Sequence, residues 1–109
     1  MVPYILDEFN YFFETAFDVT NFSSCALDRP QGSNGDGLMY IVNHFLDIDI
    51  LGILIPDVAK DSKTNAANGS GSIGEQAGLC ISTWGRTPNV ILVDNFNEGR
   101  LFNLSGLLR

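Results

Sequence analysis

Leu38-Met39-Tyr40-Ile41-Val42-Asn43-His44 is the stretch that decides the fold class. An unbroken apolar run lies between the glycine-rich loop Gln31 to Gly37 and two polar residues. A short run bounded by turn signals predicts a strand buried on both faces, as in a parallel sheet. Asn89-Val90-Ile91-Leu92-Val93-Asp94 repeats the pattern and leads into a turn at Asn95 to Gly99. Tyr11 to Val19, rich in Phe and β-branched residues, is a weaker third strand that gives way to the polar Asp18-to-Ser24 turn.

Helical signals lie between and around these strands. Ser72-x-x-Glu75 has the form of a capping box, in which each side chain satisfies a free backbone donor at the helix start. Ile73, Ala77, Cys80, Ile81 and Trp84 then share one helical face, and Gly85 is placed to end the helix. Ile5, Leu6, Phe9, Phe12 and Phe13 fit a helical face behind Pro3, and Leu101 to Leu108 predicts a last helix. Leu46 to Ile55 reads two ways, because Leu46/Ile48/Ile50 alternate like a strand while Leu46, Ile50 and Leu54 keep helical spacing. Buried strands alternating with helices indicate an α/β architecture with parallel pairing. Two clear strands and one weaker one are few for such a sheet, so part of the domain is expected to be missing.

Composition narrows the function classes. Hydrophobic residues make up 45% of the 109 residues, enough for one core. Six basic residues against 13 acidic ones give a net charge of −7, and the cations are scattered, which argues against nucleic acid. No apolar run approaches the roughly 20 residues of a membrane helix, and Met1-Val2-Pro3-Tyr4 opens without the basic and apolar regions of a signal peptide. Asn21-Phe22-Ser23, Asn68-Gly69-Ser70 and Asn103-Leu104-Ser105 match the N-glycosylation pattern and favour a secreted history. Cys25 and Cys80 fit either a long-range disulfide or two buried thiols.

Both clear strands end in polar groups, Asn43-His44 and Asp94-Asn95. In parallel neighbours these stand on one rim, the carboxyl edge where α/β folds place ligands and catalytic side chains. Asp94 is the sharper candidate. A carboxylate after four apolar residues calls for a donor or a cation, and an imidazole held by it gains a fixed tautomer. The competing reading has Asp94 accepting bonds from the amides of its own turn. His44 fits a hydrogen-bonded structural role more readily than a catalytic one. Asp47-x-Asp49-x-x-Gly52 fails as a calcium loop, since Leu51 and Val58 fall where oxygen ligands are needed. No glycine loop is followed by Gly-Lys-Ser/Thr. No metal or cofactor is expected.

An ordered series of segments resembles a known family. Val2-Pro3-Tyr4-Ile5-Leu6-x-Glu8-Phe9, Phe13-Glu14-Thr15-x-Phe17, Cys25-x-x-Asp28-Arg29-Pro30, Met39-Tyr40-x-Val42-Asn43-His44, Cys80 and Val93-Asp94 are similar to the later part of fungal phospholipase C-like phosphodiesterases. The likeness runs from residue 2 to about residue 100. It implies the C-terminal part of a TIM-type (β/α) barrel, about three βα units forming a single partial domain over 1–109. Phe12 to Phe17, Leu38 to Asn43 and Val90 to Asp94 would be its last strands.

The resemblance further implies cleavage of an inositol or glycerophospholipid phosphodiester by attack of the inositol 2-hydroxyl, with one histidine as base and another as acid. Asp94 would orient the base histidine, which is not in this chain. Glu14, Asn43 and His44 would face the lipid head group, and Cys25 would pair with Cys80, as in a secreted protein. One histidine cannot fill both proton-transfer roles, so the chain alone is expected to be inactive. The other readings are a non-catalytic module that binds or self-associates through an open barrel edge, and an unrelated small α/β domain.

Overall fold

A computed structural model describes residues 4–98. Its strands are β1 (Phe12–Thr15), β2 (Leu27–Arg29), β3 (Met39–Asn43), β4 (Asp47–Ile50), β5 (Ile53–Pro56) and β6 (Val90–Leu92). Its α-helices are α1 (Asp61–Thr64) and α2 (Ile73–Trp84), with 3-10 turns at Glu8–Asn10 and Val58–Lys60. The strand read first, β3, is the centre of a sheet ordered β2-β1-β3-β6. It pairs in parallel with β1 (Phe13 opposite Tyr40) and with β6 (Val42 opposite Ile91). The three strands expected to be parallel therefore are.

The architecture is mixed α/β, and it departs from three regular βα units. No helix lies between β1 and β3; that connection instead contributes β2, which runs antiparallel to β1. Among the described residues the sheet is open, with β2 and β6 as its edges. From Tyr40 to Asn43, β3 is buried on both faces, as its apolar run demands, while Met39 at its start is exposed; in β6, Val90 and Leu92 are exposed among the described residues.

The core lies on the α2 side of the sheet. Strand alternation turns Phe13, Tyr40, Val42 and Ile91 toward the helix, where they meet the Cys25–Cys80 disulfide and Trp84. The Phe13 and Tyr40 rings stack 5.2 Å apart, and the Trp84 indole N–H donates to the Cys25 carbonyl at 2.8 Å. The disulfide ties the loop entering β2 to the middle of α2. It settles the choice that composition left open between a bridge and two thiols.

α2 starts and stops where expected. Ser72 Oγ accepts from the Glu75 amide at 3.2 Å, and Gly85 closes the helix at φ 69°. Only half of the capping box forms, because the Ser72 amide donates to the Gly69 carbonyl instead. The buried face carries Ile73, Gln76, Ala77 and Cys80, and Ile81 turns outward.

One local expectation is corrected and one open choice is decided. The helical face from Ile5 to Phe13 is not formed: Tyr4, Ile5 and Leu6 are exposed, and a single 3-10 turn capped by Asp7 precedes β1. Pairing with β3 draws Phe12 and Phe13 into extended backbone, and β1 ends at Thr15, short of Phe17. In Leu46 to Ile55 alternation prevails, giving the β4–β5 hairpin with a two-residue turn, Leu51 at φ 53° and Gly52 at φ 83°. A left-handed conformation costs a non-glycine residue about 1–2 kcal/mol, so Leu51 is an unusual choice for that turn. The helix expected at Leu101 to Leu108 lies outside the described residues.

The disulfide closes a separation of 55 residues. In a chain-entropy account such a loop contributes about 4 kcal/mol. Replacing Cys25 and Cys80 together by Ala is expected to lower the denaturant midpoint accordingly. An unchanged midpoint would show that the bridge does not constrain the unfolded chain.

Candidate functional site

The parallel pairing of β1, β3 and β6 brings their carboxyl ends to one edge. There the ladder passes from backbone to side chains: the Asn43 amide donates to Thr15 Oγ1 at 3.0 Å, and the His44 amide to the Leu92 carbonyl at 2.8 Å. The register of β1 against β2 shifts between Glu14 and Thr15. Such a bulge re-aims the side chains beside it.

Glu14 and Asn43 are joined. Both are buried, at 4% and 3% exposure, on the sheet face away from α2. Asn43 Nδ2 donates to Glu14 Oε2 at 3.2 Å and to the Thr15 carbonyl at 2.8 Å. The other carboxylate oxygen, Glu14 Oε1, accepts from Arg29 through Nε and forms an ion pair with its Nη2. The half-exposed Arg29 guanidinium lies over the rings of Phe9 and Phe17, at 5.2 and 4.7 Å from their centres. This chain of contacts holds a planar cation at the edge of the sheet, with donors that make no further bond among the described residues. Composition placed Arg29 among scattered cations. Its signal was its place in the Cys25-x-x-Asp28-Arg29-Pro30 segment, whose strand character is too short to read.

His44 turns the other way, under α2. Its ring is fully buried and stacks on Phe22 at 4.1 Å. Nε2 meets the Thr64 carbonyl at 2.6 Å, and Nδ1 meets the Gln76 side-chain amide. Burial holds its pKa below the usual imidazole value, partly opposed by the bonds to Gln76 and Thr64. Both partners are acceptor oxygens, the Thr64 carbonyl at Nε2 and Gln76 Oε1 at Nδ1, so a neutral ring donates to one of them at a time. In this arrangement neither nitrogen is directed at the rim, and neither is directed at Asp94. Gln76 and Thr64 could not be foreseen as partners, since they come from α2 and α1.

Asp94 stands just past β6, half-buried. Its carbonyl accepts from Asn65 Nδ2 at 2.7 Å, while its carboxylate makes no hydrogen bond or ion pair among the described residues. Burial raises its pKa above the usual carboxylate value, and the charges of Asp61 and Asp47 raise it further. Asn95 Nδ2 donates to Asp61 Oδ2 and takes up one of those neighbours. Among the described residues, no group of three or more His, Cys, Asp or Glu is placed to hold a metal ion.

The family model PI-PLC X 1 matches residues 1–108. A PI-PLC X domain-containing protein 1 of Arthroderma benhamiae is 54% identical over 99 residues, covering 89% of this chain and 32% of the relative. An uncharacterized secreted protein of the same organism is 44% identical over 109 residues, covering 92% of this chain and 24% of that protein. The chain thus spans about a third and about a quarter of the two relatives. No solved structure matches.

His44 and Asp94 oppose each other in their effect on stability. His44 binds protons less readily in the folded chain, so its contribution is present above the unfolded value of about 6.5 and is lost as pH falls below it. Asp94 binds protons more readily when folded, so its ionisation removes stability as pH rises from the ordinary carboxylate value through its raised one. For the 109-residue chain alone, denaturant unfolding across pH is expected to show Asp94→Asn more stable than the parent at neutral pH, with the difference gone in acid. A parent-like midpoint at neutral pH would mean that this carboxylate has a partner after all.

Proposed function

Since the chain belongs to the PI-PLC X domain family, we propose that it is the C-terminal part of a phosphoric diester hydrolase. Its substrate would be phosphatidylinositol or a related phospholipid head group, held at the carboxyl edge of the sheet. In this reading β1, β3 and β6 are late strands of a TIM-type barrel whose earlier strands lie outside these 109 residues.

One observation carries the reading: at a shared rim, an Arg29–Glu14–Asn43 chain, buried at Glu14 and Asn43, accompanies a half-buried Asp94 carboxylate that makes no hydrogen bond or ion pair among the described residues. The exposed face of the sheet supports it. Met39, Val90 and Leu92 share that face with Glu14 and Asn43, opposite α2, as residues lining a barrel interior would.

The roles follow from the chemistry. Asp94 accepts a hydrogen bond from an imidazole supplied by the remainder of the domain and stabilises its protonated form as it takes the inositol 2-hydroxyl proton. Its raised proton affinity falls back once that cation arrives. Glu14 and Asn43 act through Arg29, holding its guanidinium toward an anionic head group. His44 braces β3 against α1 and α2. The second histidine, which protonates the leaving oxygen, also comes from outside this chain, and these residues alone hold no acid–base pair. The name of one relative as a secreted protein, with the Cys25–Cys80 disulfide, supports action outside the cytosol.

Incubated with phosphatidylinositol, the isolated chain is expected to release no cyclic inositol phosphate above background. In the full-length protein, Asp94→Asn is expected to reduce turnover by about 10²-fold or more while leaving the thermal midpoint in place. Turnover equal to the parent's would remove Asp94 from the reaction.

A further inference from the structure

Asn68-Gly69-Ser70 is an N-glycosylation triplet for which the proposed function has no use. It forms the tip of the loop joining α1 to α2, and all three residues are exposed. The base of the loop is firm. The Ser72 amide donates to the Gly69 carbonyl at 3.1 Å and the Ile73 amide to the Ala66 carbonyl at 3.2 Å. A side chain at Gly74 would run into the Ala67 carbonyl oxygen, so the loop lies directly on the first turn of α2.

The side chains at the tip are set apart from those around them. Asn34, Asn43, Asn65, Asn89 and Asn95 each use the side chain in a hydrogen bond. The Asn68 amide and the Ser70 hydroxyl make none among the described residues, so neither group serves the fold. The other described triplet, Asn21-Phe22-Ser23, is less suited to a glycan. Phe22 stacks on His44 at 4.1 Å, and its loop leaves the carboxyl end of β1, where a bulky sugar would crowd the rim.

Asn68 also opens on a groove of about 600 Å³ that follows α2 past Gly78 and Ile81 to Thr87. That size lies within the range of small-molecule sites, about 300–1,000 Å³. Gly78 is the informative residue. It stands in the middle of α2, where glycine is the least favourable residue after proline, and a Cβ there would meet nothing within 4 Å. Packing within the described chain therefore gives no reason for a glycine. Beside it Ile81 is 42% exposed, and Glu75 and Thr87 add polar groups to the lining. A sugar ring suits that mixture, with an apolar floor to rest on and hydrogen-bonding groups at its edge.

We propose that Asn68 carries an N-linked glycan whose first N-acetylglucosamine lies in the α2 groove. In the transfer, Nδ2 of Asn68 bonds to the anomeric carbon of the sugar and gives up one proton. The bond from that carbon to a lipid-linked pyrophosphate breaks, and the pyrophosphate leaves with the electron pair. The donor, an oligosaccharide on a lipid pyrophosphate, is met by chains that enter the secretory route. The Cys25–Cys80 bridge and the relative named as a secreted protein accord with that route. The inference does not depend on the hydrolase reading.

The test is peptide mass spectrometry of the full-length protein secreted from a eukaryotic host, after enzymatic release of N-glycans in heavy-oxygen water. Asn68 is expected to become heavy-labelled Asp in the parent and in Ser70→Thr, and to stay unlabelled in Ser70→Ala. An unmodified Asn68 in the parent would overturn the proposal. So would unlabelled Asp there, the mark of spontaneous deamidation at Asn-Gly. Thermal unfolding reads the groove separately. Protein trimmed by an endoglycosidase to one sugar on Asn68 is expected to keep the parent's midpoint, with Ser70→Ala about 2–4 °C lower. Equal midpoints for the trimmed protein and Ser70→Ala would overturn the seating of the sugar and leave the groove to another part of the full-length protein.

Discussion

The parallel registration of β3 between β1 and β6 is the constraint on which the rest depends. It is specified by alternation: a one-residue slip would turn Tyr40 and Val42 away from the disulfide and bring Met39 and Ile41 into their place. The same register carries Asn43 to Glu14 and sets the end of β6 beside His44. The core on one face and the polar chain on the other are two consequences of one alignment. The Cys25–Cys80 bridge reinforces it by tying α2 to the loop that enters β2.

Much of this was legible in residue order, and the boundary of legibility is physical. The runs Leu38–Val42 and Val90–Val93 announce strands because an apolar stretch of that length has few alternatives between turn signals. Ser72, Glu75 and Gly85 mark α2 through local backbone needs. Three-residue β2 carries no periodicity to read, and its place at the edge comes from pairing with β1 across a bulge. The Ile5–Phe13 face failed because helical spacing competed with a parallel partner that lies 27 residues away in the chain. Leu46 to Ile55 was undecidable by spacing alone, and the glycine at position 52 together with Asp49 resolved it as a turn.

At the site, residues were easier to nominate than to orient. Glu14 and Asn43 were both nominated, but that they share one hydrogen bond, and that Arg29 completes the chain, depends on register across the sheet. His44 follows Asn43 directly and faces the opposite side, so two neighbours in sequence have unrelated surroundings. Asp94 was singled out as a carboxylate that calls for a partner. Burial raises its proton affinity, and the charges of Asp61 and Asp47 add to that effect. A group held in that condition is costly to the fold, which is a common mark of a functional position.

Proton NMR of the full-length protein offers the most direct view of that carboxylate. An imidazole N–H bonded to Asp94 would give a strongly deshielded resonance, and the account predicts that it is present in the parent and absent from Asp94→Asn. Spectra that coincide in that region would show that no imidazole is held there and would contradict the role assigned to Asp94.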